Sequence, residues 1–473
     1  VLALAIAAHR PFLALTHLGW DTYPLILSSR VSSAADLLGV FSEELMDGLY
    51  PHGRFYRPLT TLSFALDHAL FGLASRGYHA TDLALLLACT LALAGLVRRL
   101  LGPGAAGAVA ALWFALHPLH VETLPVAARR ADVLAQLFTL LALVAMPAAP
   151  SATRRWAAAL FAALALGAKE TGILALPLLL ALRFAEPGGE GPVRRLRAAS
   201  RECALPAAAV ALVLLLRSLV LGGLGGHPES SLLAGTARGL ALAPVYAWLL
   251  LMPQPLLADA TLARGLVAAA ALALIAVLPR VSGRTRRRPL LWVCATWLLG
   301  VLLLNGIAGE VASWYAYAAL PPGALLVGAL AAGAARADGS GRGARAVAAA
   351  TALLLLVMAL RYSPLLHAYP DWQRVSEGCV AYLDRVRAAA AGAPPGAVRS
   401  VPDLPVGLAS PLERVGVRSA LGLAPYSVEA WAALALEGPP LFVVVADAAR
   451  PAAARADGIV IETRVDPSLG LLP

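Results

Sequence analysis

"HPLHVETLPVAARRAD", residues 117–132, separates two apolar runs, "AAGAVAALWFAL" (residues 105–116) and "VLAQLFTLLALVAM" (residues 133–146). Both runs are predominantly apolar, as a helix in lipid is, although each is shorter than the about 20 residues a full span needs. The linker holds His117, His120, Glu122, Arg129, Arg130 and Asp132 within 16 residues. Its reading decides the fold: ionisable groups crowded between two membrane segments either neutralise one another in a solvated turn or meet an anionic ligand.

Composition supports the membrane reading. Of 473 residues, 59% are hydrophobic and 14% charged, and the mean hydropathy of +0.74 excludes a soluble globular domain of this size. The formal charge of +10 does not indicate a nucleic-acid partner, because the arginines fall in short clusters between apolar runs, the pattern that fixes membrane orientation. Four cysteines at positions 89, 203, 294 and 379 have neither disulfide-framework nor metal spacing. About eight apolar residues precede His9, too few for a span, so the expectation is either a truncated N-terminus or an incomplete first helix, and no cleavable signal peptide is read.

Apolar runs predict spans near residues 83–97, 105–116, 133–146, 156–168, 172–184, 205–221, 262–278, 290–304, 317–335 and 347–360. With the first segment, this makes an all-α polytopic membrane protein of about eleven helices. Arginines at 98–99, 154–155, 194–201, 284–288 and 336–345 can share one side, cytoplasmic by the positive-inside rule. That arrangement requires residues 237–257, with prolines at 244, 253 and 255, to be re-entrant or interfacial. Residues 1–361 then form the membrane domain. Residues 362–473 are expected to be a small extracytoplasmic α/β domain, with a helix near 373–391 and the strand "PLFVVVAD" (residues 440–447).

On the opposite, extracytoplasmic side lie the first outer loop (residues 17–79), the 117–132 linker, the "AKET" turn and "SWYAYAALP" (residues 313–321). Residues 59–71 of the first loop read as an amphipathic helix along the interface. Arg129 and Arg130 break the orientation rule that the other clusters obey. Lys169 is the one lysine among 38 basic residues, a compact point charge where the composition favours arginine. The charged outer set is Asp21, Arg57, His79, His117, His120, Glu122, Arg129, Arg130, Asp132, Lys169 and Glu170. Cations beside carboxylates suit transfer of a sugar from a lipid phosphate, since the leaving phosphate gathers negative charge and a carboxylate can take the acceptor hydroxyl's proton. Two other readings stay open. Glu122 and Asp132 could neutralise Arg129 and Arg130, or His117, His120 and Glu122 could ligate a divalent metal, although Pro118 interrupts the shared face and the spacing matches no zinc signature.

The ordered series "FYRPLTTLSFALDHALFG" (residues 55–72), "GYHATDLALLL" (residues 77–87), the linker itself and "AKETGILALPLLLAL" (residues 168–182) resembles the polytopic GT-C glycosyltransferases, closest to the transmembrane O-mannosyltransferase-like proteins. The resemblance covers about residues 20–321. It implies a polyprenyl-phosphate sugar as donor substrate, with transfer of mannose or a similar sugar on the extracytoplasmic face to a protein or glycan acceptor. It makes Asp21 the expected catalytic residue, as base or as the group that positions the acceptor. It points to Arg57, His117, His120, Arg129, Arg130 and Lys169 for the donor phosphate, with His79, Glu122, Asp132, Glu170 and Asp259 in support. A second acid often follows the first in this family, but Thr22 stands here, and Trp314 replaces an arginine of the aromatic motif. Tetratricopeptide repeats, usual in these relatives, are missing. That and the lysine-poor composition fit a bacterial inner-membrane enzyme using undecaprenyl phosphate. The departures also keep a non-catalytic lipid-phosphate-binding relative in view. A flippase for a lipid-linked substrate would need deep polar residues and inverted repeats, and the sequence shows few of the former and no repeat.

Overall fold

A computed structural model describes residues 1–48, 54–146, 151–186, 191–223, 225–226, 232–251, 284–308, 313–335, 342–367, 369–407, 422–445, 453 and 455–465. In chain order its helices are α1 (Leu2–His9), α2 (Thr22–Ser28), α3 (Ala34–Gly39), α4 (Pro58–Phe71), α5 (Ser75–Leu101), α6 (Ala105–Ala115), α7 (Arg130–Ala145), α8 (Ala152–Ala168), α9 (Ala175–Ala185), α10 (Pro192–Glu202), α11 (Ala204–Leu221), α12 (Leu232–Leu251), α13 (Arg284–Ala308), α14 (Leu320–Ala335), α15 (Arg342–Tyr362), α16 (Pro370–Ala390) and α17 (Pro425–Ala435). The strands are β1 (Val398–Ser400), β2 (Leu441–Val445) and β3 (Ile459–Thr463).

The chain divides into two compact units, each built from segments distant in sequence. One comprises Val1–His9, Leu83–Val121 and Ala131–Ala368, the other Arg10–Asp82, Glu122–Arg130 and Tyr369–Pro473. The boundary read from sequence at residue 361 therefore does not describe the grouping, because residues 10–82 and 122–130 fold with the C-terminal region.

The first unit is helical. Five helices among the described residues are long and apolar enough to cross a membrane: Ser75–Leu101, Ala204–Leu221, Arg288–Ala308, Trp314–Ala335 and Arg345–Tyr362. Among the described residues, α6 to α9 are shorter than a full span, with 11, 16, 17 and 11 residues. The run at 262–278 lies outside the described residues. Residues 237–251, expected to be re-entrant or interfacial, continue as α12 through Pro244, while Pro253 and Pro255 lie outside the described residues. Small residues let α12 approach α13 closely, as in lipid where backbone contact replaces hydrophobic driving force. A Cβ at Gly235 would meet the Ile307 backbone, and one at Gly239 would meet the Leu302 carbonyl.

In the second unit, α16 and α17 accompany a three-stranded parallel sheet in the order β1-β3-β2. Val398 pairs with Val460, and Leu441 with Ile459. The central strand β3 carries Ile459, Val460 and Ile461, all buried, as a parallel strand covered on both faces requires. The sequence predicted α16 and β2. It did not predict β1, which has three residues, or β3, whose apolar run is broken by Glu462. α4 forms where the amphipathic pattern placed it, with Pro58 at its first position, where the missing N–H costs no helical bond.

Candidate functional site

Asp21 opens α2 but does not spend its carboxylate on capping that helix. It is half-buried, and Tyr426 of α17 donates a 2.7 Å hydrogen bond to its Oδ1. The surrounding "GWD" segment is fixed to the C-terminal region at several points. Gly19 N–H donates to the Gly422 carbonyl at 3.1 Å, Trp20 Nε1 donates to the Val406 carbonyl at 3.0 Å, and the Ser427 hydroxyl donates to the Trp20 carbonyl. Gly19 has φ +90°, and a Cβ there would collide with the Val126 side chain, so glycine is required on both counts. Thr22, where the family often has its second acid, is fully buried. Its hydroxyl donates to the Leu18 carbonyl at 2.5 Å and serves the local backbone.

Other expected residues of this unit are Arg57, His79, Glu122, Arg129 and Arg130. The half-buried Arg57 guanidinium lies over the Phe55 ring, 4.5 Å from its centroid. Arg129 pairs with Glu122, Nη1 to Oε2 at 3.6 Å, and also donates to the Glu122 carbonyl. Arg130 behaves differently from the phosphate ligand expected of it. Its side chain is wholly buried, with Nη2 2.6 Å from Asp67 Oδ2 and Nε 2.5 Å from Asp82 Oδ1. It also donates to the Tyr78 carbonyl at 3.1 Å, and its guanidinium lies 4.8 Å from the Phe64 ring centroid. Thr81 donates to Asp67 at 2.7 Å. Two buried carboxylates thus already answer this one cation.

His79 was placed in a loop by the sequence reading, but α5 begins at Ser75, so His79 stands on its second turn. The ring nitrogens Nδ1 and Nε2 contact the Leu124 and Thr16 carbonyls at 3.2 and 3.3 Å. Nearby His17 is buried, and burial, reinforced by His79, lowers its pKa to about 3.

In the other unit, Lys169 ends α8 in extended conformation, and its Nζ lies 2.7 Å from both carboxylate oxygens of Asp132. Asp132 occupies the first turn of α7. Each charge therefore opposes the helix dipole at its own terminus. Tyr315, expected in an interfacial aromatic belt, sits with its ring centroid 5.3 Å from Lys169 Nζ. The turn is tight, since a Cβ at Gly172 would strike the Ala165 carbonyl. Glu170 meets Arg217 Nη1 at 2.7 Å. Arg217 was not singled out from sequence, although an arginine inside an apolar span is itself a signal. Asp67, Asp82 and Tyr426 were also missed; an acid on the apolar side of an amphipathic helix could have pointed to Asp67.

His117 and His120 were read as phosphate-binding cations. Both are buried. His117 Nε2 donates to the Leu250 carbonyl at 2.8 Å while its Nδ1 accepts from Leu119 N–H at 3.2 Å. Burial, partly offset by the Leu250 bond, lowers its pKa to about 4. Burial and then the nearby His9 hold His120 well below the ordinary imidazole value, and its Nε2 lies 2.6 Å from the Phe114 carbonyl. Both imidazoles are therefore neutral near pH 7 and carry no charge to a phosphate. Their Nε2 atoms are committed to carbonyls, so the pair does not fit the metal alternative with Glu122. No group of three His, Cys, Asp or Glu side chains among the described residues is arranged to hold a metal. Asp259 lies outside the described residues.

Beside His117 is an apolar cavity of about 310 Å³ lined by Trp113, Tyr246, Leu250, Val301, Gly323 and Val327, among others. The Trp113 and His117 rings are 4.6 Å apart.

No family model matches the chain. Human and mouse protein O-mannosyl-transferase TMTC2 are each 40% identical to it over 108 residues, or 22% of this chain and 13% of the relative. The match thus spans about an eighth of the relatives' length. ArnT from Cupriavidus metallidurans, in its apo state, superposes with a TM-score of 0.50 at 15% identity, covering 94% of this chain and 85% of that one. The structure of ArnT bound to undecaprenyl phosphate gives 0.49 at 12% identity over the same shares. The chain thus shares its fold with ArnT from Cupriavidus metallidurans, and 108 of its residues resemble the TMTC2 protein O-mannosyl-transferases.

Proposed function

We propose that this chain is an integral membrane glycosyltransferase that moves mannose or a similar sugar from a polyprenyl-phosphate donor to an acceptor hydroxyl on the extracytoplasmic face. The observation that carries this reading is Asp21: a half-buried carboxylate, not used as a cap, held by Tyr426 and by an anchored backbone. Such a group can accept the proton of an acceptor hydroxyl as the oxygen attacks the anomeric carbon. The sugar–phosphate bond breaks in the same step, leaving polyprenyl phosphate.

Lys169 is assigned to the donor phosphate, as a compact ammonium whose partner Asp132 holds it in place. Arg57 and Arg129 remain candidates for the same charge. Arg130, His117 and His120 are assigned structural roles, the first because two carboxylates enclose it and the histidines because they are neutral. The apolar cavity beside His117 suits part of an isoprenoid chain.

The chain in lipid nanodiscs, given radiolabelled polyprenyl-phosphate mannose with peptide and glycan acceptors, should transfer label, and Asp21→Asn should abolish transfer. Label transfer undiminished in that variant would remove Asp21 from the chemistry. A second reading, a relative that binds lipid phosphate without turnover, is favoured by Thr22, whose hydroxyl serves the backbone where the family has an acid. It predicts donor binding with no transfer by the wild type.

A further inference from the structure

After Arg130, helix α7 is apolar except along one line. Asp132, Gln136 and Thr139 are spaced i, i+4, i+7, which places them one above another on a single face. All three are buried, at 5%, 5% and 4% exposure. Among the described residues, neither the Oε1 nor the Nε2 of Gln136 has a hydrogen-bond partner. A buried amide left in that condition is costly, so native proteins satisfy such groups. Polar groups inside a membrane segment also indicate a binding role.

The face borders a cavity of about 20 Å³ lined by Asp132, Gln136, Thr139, Thr171 and Trp297, among others. That is the room of one water or one hydroxyl. Thr171 follows the Lys169–Glu170 pair in sequence, and Lys169 bonds Asp132 at the same rim. An amide both donates and accepts, as a hydroxyl does, and the carboxylate and two threonines add acceptors and rotatable donors.

We propose that Asp132, Gln136, Thr139 and Thr171 form a subsite that takes one hydroxyl of the donor's sugar, beside the phosphate cation Lys169. This rests on the transferase reading for the identity of the donor, since a sugar joined to a phosphate at Lys169 carries its hydroxyls into the adjoining space. The subsite selects among sugars: an analogue lacking that hydroxyl leaves the Gln136 amide unanswered.

Binding tests it without requiring turnover. The full chain in nanodiscs is titrated with polyprenyl-phosphate mannose, its monodeoxy-mannose analogues and bare polyprenyl phosphate. The wild type should bind one deoxy analogue about tenfold or more weakly than the parent. Gln136→Leu, of similar volume and suited to an apolar helix, should lose about the same factor for the parent and nothing further for that analogue. Thr171→Val should show the same pattern. Wild-type affinity of Gln136→Leu for every lipid overturns the proposal, as expected if a water occupies the cavity permanently. So does an equal loss for all lipids, bare phosphate included, which marks a structural role. Transfer is measured separately: selective binding without transfer sinks the transferase reading and leaves the subsite standing, whereas transfer with unselective binding does the reverse.

Discussion

Tyr426 and Asp21, 405 residues apart in sequence, meet at 2.7 Å through a hydrogen bond from the phenol to Oδ1. The C-terminal region is therefore part of the apparatus that presents the candidate base. Removing only the hydroxyl, as in Tyr426→Phe, should lower kcat about tenfold to a hundredfold, the range for a hydrogen bond to a charged group. The donor's KM should stay near its wild-type value. Steady-state kinetics in nanodiscs checks this, and a kcat equal to that of the wild type would show that Tyr426 does not position Asp21.

Lys169 and Asp132 are buried together, so their exchange separates charge balance from function. Lys169→Met leaves Asp132 without its ammonium and should destabilise the fold by about 3–5 kcal/mol. Pairing it with Asp132→Leu should recover most of that loss, because neither charge then remains buried alone. Donor binding should not recover. Lys169→Arg should restore it only in part, as the planar guanidinium cannot occupy the ammonium's place between both carboxylate oxygens and Tyr315. Unfolding midpoints and donor titrations on the four proteins give both readouts.

Arg130 should dominate stability. Arg130→Met leaves Asp67 and Asp82 buried at close range with no cation, a change expected to cost at least about 3–5 kcal/mol. Asp67→Asn with Asp82→Asn should be milder when combined with Arg130→Met than Arg130→Met alone, since the triple variant buries no net charge. The comparison is of unfolding midpoints at one pH. If Arg130→Met folds normally but loses donor affinity, Arg130 is a phosphate ligand after all.

Much of the helical frame was legible because lipid leaves few alternatives: α6, α8 and α11 lie within a few residues of their apolar runs. The start of α5 was not, because "SRGYHATD" is polar on the surface scale yet its His79 and Asp82 turn inward to partners elsewhere in the chain. The linker's charged residues were visible, but their pairing was not. Local reasoning matched Asp132 with the adjacent arginines, whereas the fold gives it to Lys169, 37 residues away, and gives Arg130 to acids 48 and more residues back. The polar line at 132, 136 and 139 is written in helical spacing, but it lies inside a run whose mainly apolar content reads first as a lipid-facing segment.

Histidine burial fixes the pH response. His17 and His117 have pKa values lowered by burial to about 3 and about 4 from the ordinary 6.5. Between those values and 6.5 the unfolded chain binds more protons than the folded one, so stability is full above 6.5 and falls as pH falls. Each such histidine contributes a slope of up to about 1.4 kcal/mol per pH unit. Asp36 enters lower: held to about 2 by hydrogen bonds from the Ser32 hydroxyl and backbone and from Ser33, it loses its contribution only as pH drops below its ordinary 3.8. The unfolding midpoint should therefore decline from pH 6.5 to 4.5 through the histidines. His17→Gln, which keeps a donor toward the Leu73 carbonyl and cannot titrate, should flatten that decline; a slope identical to that of the wild type would mean His17 is protonated in the folded protein.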